Sequence, residues 1–322
     1  MHKDKQNANF VIMEWQTKVT TEFTIKRFSY RTRFLFAGSC FSAEISTRMR
    51  ALEFQVAPDP FGVLFNPASI CQALERIETG RLFLAGDVVP FPSEGYGTYA
   101  HHSSFSRLDS VCFLENANRV LASASDFFST ADVIIITLGT AWIFTLDGQV
   151  VANCHKMPAA YFKRTILDPI QIADAFSPLI ERYPHKQWIF TVSPIRHLAD
   201  GAHGNQLSKA SLLLAVNELQ QRFPAIAYFP SYEILLDELR DYRFYAPDRC
   251  HPSQETFDYI WSRFLDALFD KESVEMAGKM ERLAKSLAHT PRFSGSEEHS
   301  KFVLNIKKQQ DEMLKAIGIL RK

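Results

Sequence analysis

Four short stretches of this chain carry residue types able to do covalent or acid–base chemistry. They are Gly38-Ser39-Cys40-Phe41, Phe61-Gly62-Val63-Leu64-Phe65-Asn66-Pro67, Gly139-Thr140-Ala141-Trp142 and Asp248-Arg249-Cys250-His251-Pro252. The first sets a hydroxyl beside a thiol where a helix should begin. Unpaired N–H groups and the macrodipole at such a start are expected to lower a thiol pKa and to stabilise an oxyanion. The last places an aspartate three residues before a histidine. That spacing lets the carboxylate accept from one imidazole nitrogen while the other faces a nucleophile, the orienter, base and nucleophile logic of a triad. Plainer roles compete with these: Cys40 as a small buried thiol, His251 as a helix cap, Gly62 and Gly139 as turn residues needing positive φ.

Further histidines stand in His101-His102, Asn153-Cys154-His155 and Ser193-Pro194-Ile195-Arg196-His197. A zinc site would have to gather them from distant loops, and no H-E-x-x-H or comparable pair supports one, so no metal is expected. Arg196 and His197 follow a predicted strand directly and are candidate substrate-binding groups.

The elements that must position these residues alternate along the chain. Phe34 to Ala37 reads as a strand, ended by Gly38-Ser39 and followed by a helix over 43–54 with Ile45, Met49 and Leu52 at helical spacing. Asn66-Pro67-Ala68-Ser69 opens a second helix, with proline where its missing N–H costs nothing, and Thr79-Gly80 closes it. Residues 81–110 read as an irregular surface insertion near a binding rim. Val133 to Ile136 is a β-branched run suited to a strand buried on both faces. Trp142–Leu146 and Gln149–Asn153 flank Asp147-Gly148 as a hairpin. A helix near 168–182, a strand over 188–192, a helix near 205–222, a strand over 225–229 and an amphipathic helix over 254–270 complete a βα alternation. Such an alternation implies a doubly wound parallel sheet. Ligands of these sheets bind beyond the carboxyl ends of the strands, where all four stretches fall.

Composition narrows the partners. The chain has 322 residues with 36 basic and 36 acidic side chains and a pI near 7.1. No basic excess or stripe is present, so nucleic acid and anionic membrane surfaces are not expected partners. No run reaches the ~20 apolar residues of a membrane span, and the first residues lack a targeting signal. Five cysteines, widely spaced and without a C-x-x-C pair, argue against a disulfide framework and for a cytoplasmic location. The phenylalanines, Phe34, Phe36, Phe61 and Phe65 among them, are expected in the core. The charged C-terminal helix over 302–320 carries Phe302, Ile306, Met313, Ile317 and Leu320 as apolar positions. It is predicted to pack on the body or on a second copy in a homo-oligomer. A break is expected over 291–297.

A strand followed by Gly38-Ser39-Cys40-Phe41-Ser42, then Asp59-Pro60-Phe61-Gly62, Thr191-Val192-Ser193-Pro194 and Asp248-x-x-His251-Pro252 resembles the GSCFA-domain family, within the SGNH (GDSL-like) hydrolase superfamily. The resemblance spans about residues 30–270. It implies an α/β three-layer flavodoxin-like fold, with residues 1–29 an N-terminal extension, 30–271 the SGNH-like domain and 272–322 a helical C-terminal extension. It also implies hydrolysis or transfer of acyl groups from esters, often of carbohydrates, without a cofactor. The superfamily's nucleophile position falls on Cys40 with Ser39 in the aspartate position; a shift of one residue makes Ser39 the nucleophile. A thiolate is both a better nucleophile and a better leaving group, which favours transfer through a thioester. Asp248 and His251 match the final block as orienter and general base. Gly62 matches the oxyanion glycine. Gly139-Thr140-Ala141 lacks the superfamily's asparagine, a loss on the order of 10²–10³ in rate unless Thr140, Trp142 or Asn153 compensates.

The expected function is therefore an SGNH-type acyl-ester hydrolase or acyltransferase on a small acylated or carbohydrate substrate. Cys40 or Ser39 is its nucleophile, Gly62, Gly139 and Thr140 its oxyanion site, and Asn66, Trp142, His102, Arg196 and His197 its substrate contacts. The competing expectation is a non-catalytic module of the same fold that binds a carbohydrate or a protein.

Overall fold

A computed structural model describes residues 16–57, 59–288, 297–316 and 318. The chain runs β1 (Arg33–Gly38), α1 (Cys40–Ala51), β2 (Gln55–Val56), α2 (Pro67–Thr79), β3 (Val89–Phe91), β4 (Gly95–Gly97), α3 (Ser110–Thr130), β5 (Val133–Leu138), β6 (Trp142–Leu146), β7 (Gln149–Val151) and β8 (Lys163–Ile166). It continues through α4 (Pro169–Arg182), β9 (Gln187–Val192), α5 (Gly201–Arg222), β10 (Ala227–Tyr228), α6 (Ser231–Glu233), α7 (Gln254–Leu268), α8 (Lys271–Ala288) and α9 (Glu297–Ala316).

Five strands form one parallel sheet in the order β2-β1-β5-β9-β10. Counted along the chain, its strands stand 2-1-3-4-5, the flavodoxin-like order, and the order reverses between β1 and β5. Register pairs Phe34 with Val133 and Gly38 with Thr137, then Val133 with Gln187 and Leu138 with Val192. The period-2 pattern of the strands divides the core into two. Leu35, Ile134, Ile136, Trp188 and Phe190 meet α2, α3, α4 and α5 on one face. Phe34, Phe36, Val133, Ile135 and Ile189 meet α1, α7, α8 and Leu314 of α9 on the other. The layers are thus helices, sheet, helices.

Local chemistry explains several boundaries. The Asn66 side chain accepts from Ser69 N at 2.8 Å, Pro67 occupies the first turn, and Gly80 stops α2 in the left-handed region at φ 62°. Asp168 and Gln171 form a reciprocal capping box at the start of α4. Asp147 and Gly148 both take positive φ, which lets β6 and β7 close as the expected hairpin. β8 adds a third strand to that hairpin, pairing with β6, which the sequence pattern does not reveal.

Other departures have physical causes. The insertion after α2 contains a small antiparallel ribbon, β3 with β4, and it ends in α3, a helix absent from the sequence expectations. In α3, Phe113, Ala117, Leu121, Ala124 and Phe128 bury one stripe, and two of the five are alanines with little hydrophobic signal. α9 packs on the body through Ile306 and Leu314, while Phe302 is exposed. Ile317, Leu320 and residues 291–296 of the break expected over 291–297 lie outside the described residues, and Glu297 already begins α9.

The second core face reaches beyond the sheet in both directions along the chain. Val19, Phe23 and Ile25 pack against it, as do Met276, Ala277 and Met280 of α8. Burial pushes the Glu238 carboxyl up, but the Tyr259 hydroxyl, the Val19 amide and the Arg263 guanidinium hold it below its ordinary range. Gln16 donates to the Glu238 carbonyl at 2.9 Å, so this cluster ties residues 16–19 to the body.

Gly38 is where the site begins and where the backbone is least forgiving. Its φ is +140°, and a Cβ there would lie 2.2 Å from the Thr137 carbonyl oxygen of β5. Gly38→Ala is expected to cost about 3 kcal/mol or more, from backbone strain and forced separation of β1 from β5. The urea midpoint of the variant checks this, and an unchanged midpoint would refute it.

Candidate active site

The aspartate–histidine pair sits on the loop before α7. That loop is folded by Ala246 N donating to His251 O at 2.8 Å, by Arg249 N donating to Ala246 O at 2.9 Å, and by a Tyr245–Pro252 bridge. Asp248 Oδ1 accepts from the amides of Cys250 and His251 at 2.9 and 3.0 Å, and its Oδ2 meets His251 Nδ1 at 2.6 Å. The two amides and the imidazole lower the carboxyl to about 2, so it is ionised throughout the neutral range. A carboxylate facing Nδ1 keeps that nitrogen the donor and leaves Nε2 as the acceptor of the neutral ring. Both side chains are about half exposed, so Nε2 can reach a ligand from solvent. Arg196 N donates to Cys250 O at 3.1 Å, which joins this loop to the segment leaving β9.

Ser39 and Cys40 stand at the end of β1. Ser39 N donates to Thr137 O at 3.1 Å, and Ser39 is the N-cap of α1, but its side chain makes no cap hydrogen bond. Its Oγ is buried without a partner among the described residues. The residue lies against Gly139, where an added Cβ would stand 3.3 Å from Ser39 Cβ. Cys40 is half-buried and packs against the second core face. Burial raises its thiol above the ordinary value, outweighing a hydrogen bond from its own amide. This corrects the expectation that the helix start lowers it: desolvation wins over the dipole.

The expected oxyanion donors are committed to other partners. Gly62, in the left-handed region at φ 73°, donates to Asp59 Oδ1 at 3.0 Å beside Phe61 N at 3.1 Å. Burial pushes the Asp59 carboxyl up to about 6, against the pull of those two amides and of Arg50. Gly139 N and Thr140 N both donate to Phe65 O at 2.9 Å. Gly139 has no positive φ to explain it; close approach does, since a Cβ would stand 2.8 Å from Phe65 O. Thr140 Oγ1 meets Ser208 Oγ at 2.9 Å. Ala43 N closes the first helical bond of α1 onto Ser39 O. The amides of Cys40, Phe41 and Ser42 therefore stand outside the helical ladder as donors.

The remaining candidates divide. Asn66 is buried and spends its Oδ1 on the α2 cap. His102 shares its Nδ1 with Ser104 and accepts there from the Ser104 amide, on the insertion. Trp142 stacks under Arg164 at 4.0 Å, with its Nε1 buried and without a partner among the described residues. His197 does join the site. It lies edge-on to Phe65 at 6.0 Å, and its Nε2 is buried without a partner among the described residues. Burial lowers it to about 4; Lys209 and His251 push the same way, and Asp200 and the Gly139 carbonyl oppose them.

Lys209 is the residue the sequence hides. It is 1% exposed on α5, and its Nζ donates to Gly139 O and Ser193 O at 2.7 Å each, bridging the segments that leave β5 and β9. Burial lowers its pKa to about 7. The adjacent Ser208 Oγ also accepts from Ala141 N at 2.8 Å. Among the described residues, no group of three or more His, Cys, Asp or Glu side chains is arranged to hold a metal, and no helix is long and apolar enough to cross a membrane.

With Ser39, Cys40, Asp248 and His251 all inside the range, a sequence model described as the GSCFA family matches residues 33–264. The chain belongs to the GSCFA family. Among solved structures, an acetyl xylan esterase (Est2A) from the rumen bacterium Butyrivibrio proteoclasticus is similar at a TM-score of 0.36 and 14% identity, over 76% of this chain. The GSCFA chain spans 65% of the length of that esterase. No curated protein matches it. The GSCFA match ends inside α7 and leaves out α8 and α9.

Lys209 yields a pH test. Its folded-state pKa lies below the unfolded value of about 10.5, so between the two the unfolded chain binds more protons and stability rises with pH. Below about 7 both states carry the proton and this contribution is flat. The urea midpoint of the wild type should climb from about pH 7 to pH 8.5 relative to that of Lys209→Met. Parallel curves would refute it.

Proposed function

We propose that this GSCFA protein is an acyl-transfer enzyme of SGNH type. It cleaves an acyl ester of a small or carbohydrate substrate and delivers the acyl group to water or to a second acceptor. The observation that carries the reading is the Asp248–His251 pair, with its 2.6 Å hydrogen bond and its half-exposed imidazole. An orienter held ionised, fixed by two backbone amides, and a ring with its outer nitrogen open are what a general base requires.

Cys40 is the nucleophile this reading favours. Its thiol is half-buried, whereas the Ser39 hydroxyl is buried against Gly139. A thiol raised above its ordinary value is protonated at neutral pH, so it needs the base. His251 Nε2 takes the thiol proton as sulfur attacks the carbonyl carbon. The C–S bond forms and the carbonyl electron pair moves to oxygen, for which the amides of Phe41 and Ser42 at the start of α1 are the donors this reading assigns. Collapse expels the alkoxide, which leaves with the proton from His251 and leaves a thioester on Cys40. Water or an acceptor hydroxyl, deprotonated by the same nitrogen, attacks the thioester carbon; a C–O bond forms, the C–S bond breaks, and the Cys40 thiolate takes the proton back from His251. One observation favours the non-catalytic module instead: the amides of Gly62, Gly139 and Thr140 are all spent inside the protein.

Hydrolysis of p-nitrophenyl acetate by folded variants decides between them. His251→Ala should lower kcat/KM by about 10²–10⁴, and Cys40→Ala should abolish turnover while Ser39→Ala retains it. Loss with Ser39→Ala alone would move the nucleophile to the hydroxyl. Absence of turnover from the wild type across short esters would leave the binding module. A second check is alkylation of Cys40 by iodoacetamide: the rate should be low at neutral pH and keep rising beyond the ordinary thiol range. Rapid labelling at neutral pH would contradict the raised thiol.

A further inference from the structure

The loop bearing His251 also walls a separate cavity of about 190 Å³, whose polar lining is Arg196, Gln206, Arg240, Tyr242 and Tyr245. Leu235 and Leu236 also line it, from a π-helical turn over Ile234–Leu239, a rare geometry frequently found at functional sites. Arg196 is its centre. The guanidinium stands 5.9 and 5.7 Å from the rings of Tyr242 and Tyr245. One of its nitrogens donates to Arg249 O at 3.1 Å, and the Arg196 amide donates to Cys250 O at 3.1 Å. Arg196 is therefore bonded to the two residues between Asp248 and His251.

The charge balance of this cavity is unusual. Arg196 is half-buried, and among the described residues no carboxylate pairs with it. Arg240, largely exposed, reaches Asp237 at 3.5 Å. The one amide side chain present, Gln206, spends its oxygen on the Tyr232 hydroxyl at 2.9 Å. A partly desolvated guanidinium without an anion is costly, and its remaining N–H groups form a planar fork that matches a carboxylate. The rings of Tyr242 and Tyr245 wall the cavity on the side of the guanidinium.

We infer that this cavity receives a carboxylate carried by the substrate, held by Arg196 with Arg240 at the mouth, beside the bond on which His251 acts. The use of the site in catalysis rests on the acyl-transfer reading, but the binding itself does not. The test is calorimetric titration of the intact protein with succinate, with butyramide as the uncharged probe of similar length and inorganic phosphate as the other anion. Saturable succinate binding, none with butyramide and weaker binding with phosphate is the expected result, with Arg196→Gln binding succinate about tenfold or more weakly. No saturation by succinate at tens of millimolar, phosphate preferred over succinate, or unchanged affinity in Arg196→Gln would overturn the inference. Should Arg196→Gln fail to fold, Arg240→Glu takes its place: weaker succinate binding supports the site, and equal binding overturns it. Because no turnover is read, an inactive protein that binds succinate would reject the acyl-transfer reading and keep the site.

Discussion

A buried lysine amine surrounded by protein must find acceptors inside the fold, and Lys209 finds two carbonyls, those of Gly139 and Ser193. These lie just past β5 and β9, where the strands leave the sheet and their last carbonyls lose ladder partners. A neutral amine has two N–H groups, matching the two acceptors, which accords with the depressed pKa. The bridge sets the separation of the two exit segments. Gly139 in turn abuts Ser39 and Phe65, and the β9 exit leads through Arg196 to the His251 loop. The Ser39 side and the His251 side of the candidate site are therefore both joined to segments that one nitrogen on α5 bridges.

That rigidity consumes donors. Amides that could meet a developing oxyanion hold the loops to one another instead: Gly62 to Asp59, Gly139 and Thr140 to Phe65. What is left is the first turn of α1, where three amides precede the helical ladder.

The legible parts of the sequence were those decided locally. β5 is a β-branched run, α2 carries its own cap, proline and terminal glycine, and the hairpin of β6 with β7 announces itself in Asp147-Gly148. β2, two residues long, exists only because β1 offers it an edge, so no local pattern marks it, whereas β10, equally short, falls inside the strand expected over 225–229. The same division runs through the site. Asp248 and His251 are three residues apart and fold against each other within one loop, so their spacing is informative. Lys209 is a lysine in a helix, ordinarily a solvated residue, and only the packing of α5 across the sheet makes it a buried donor. Likewise the thiol of Cys40 answers to the aromatic face behind it, which lies far away in sequence.

The second core face draws Val19, Phe23 and Ile25 from ahead of the family match and Met276, Ala277, Met280 and Leu314 from behind it. Glu238 and Arg263, both within the match, pair with each other and are also hydrogen-bonded by the backbone of Val19, which is not. The border at which sequence kinship becomes detectable is therefore not a border of the folding unit. A fragment trimmed to residues 33–264 would keep α1 and most of α7 but strip away the apolar layer laid over them and over the sheet by the flanking segments, and would be a sticky, half-clothed object rather than a smaller version of the protein.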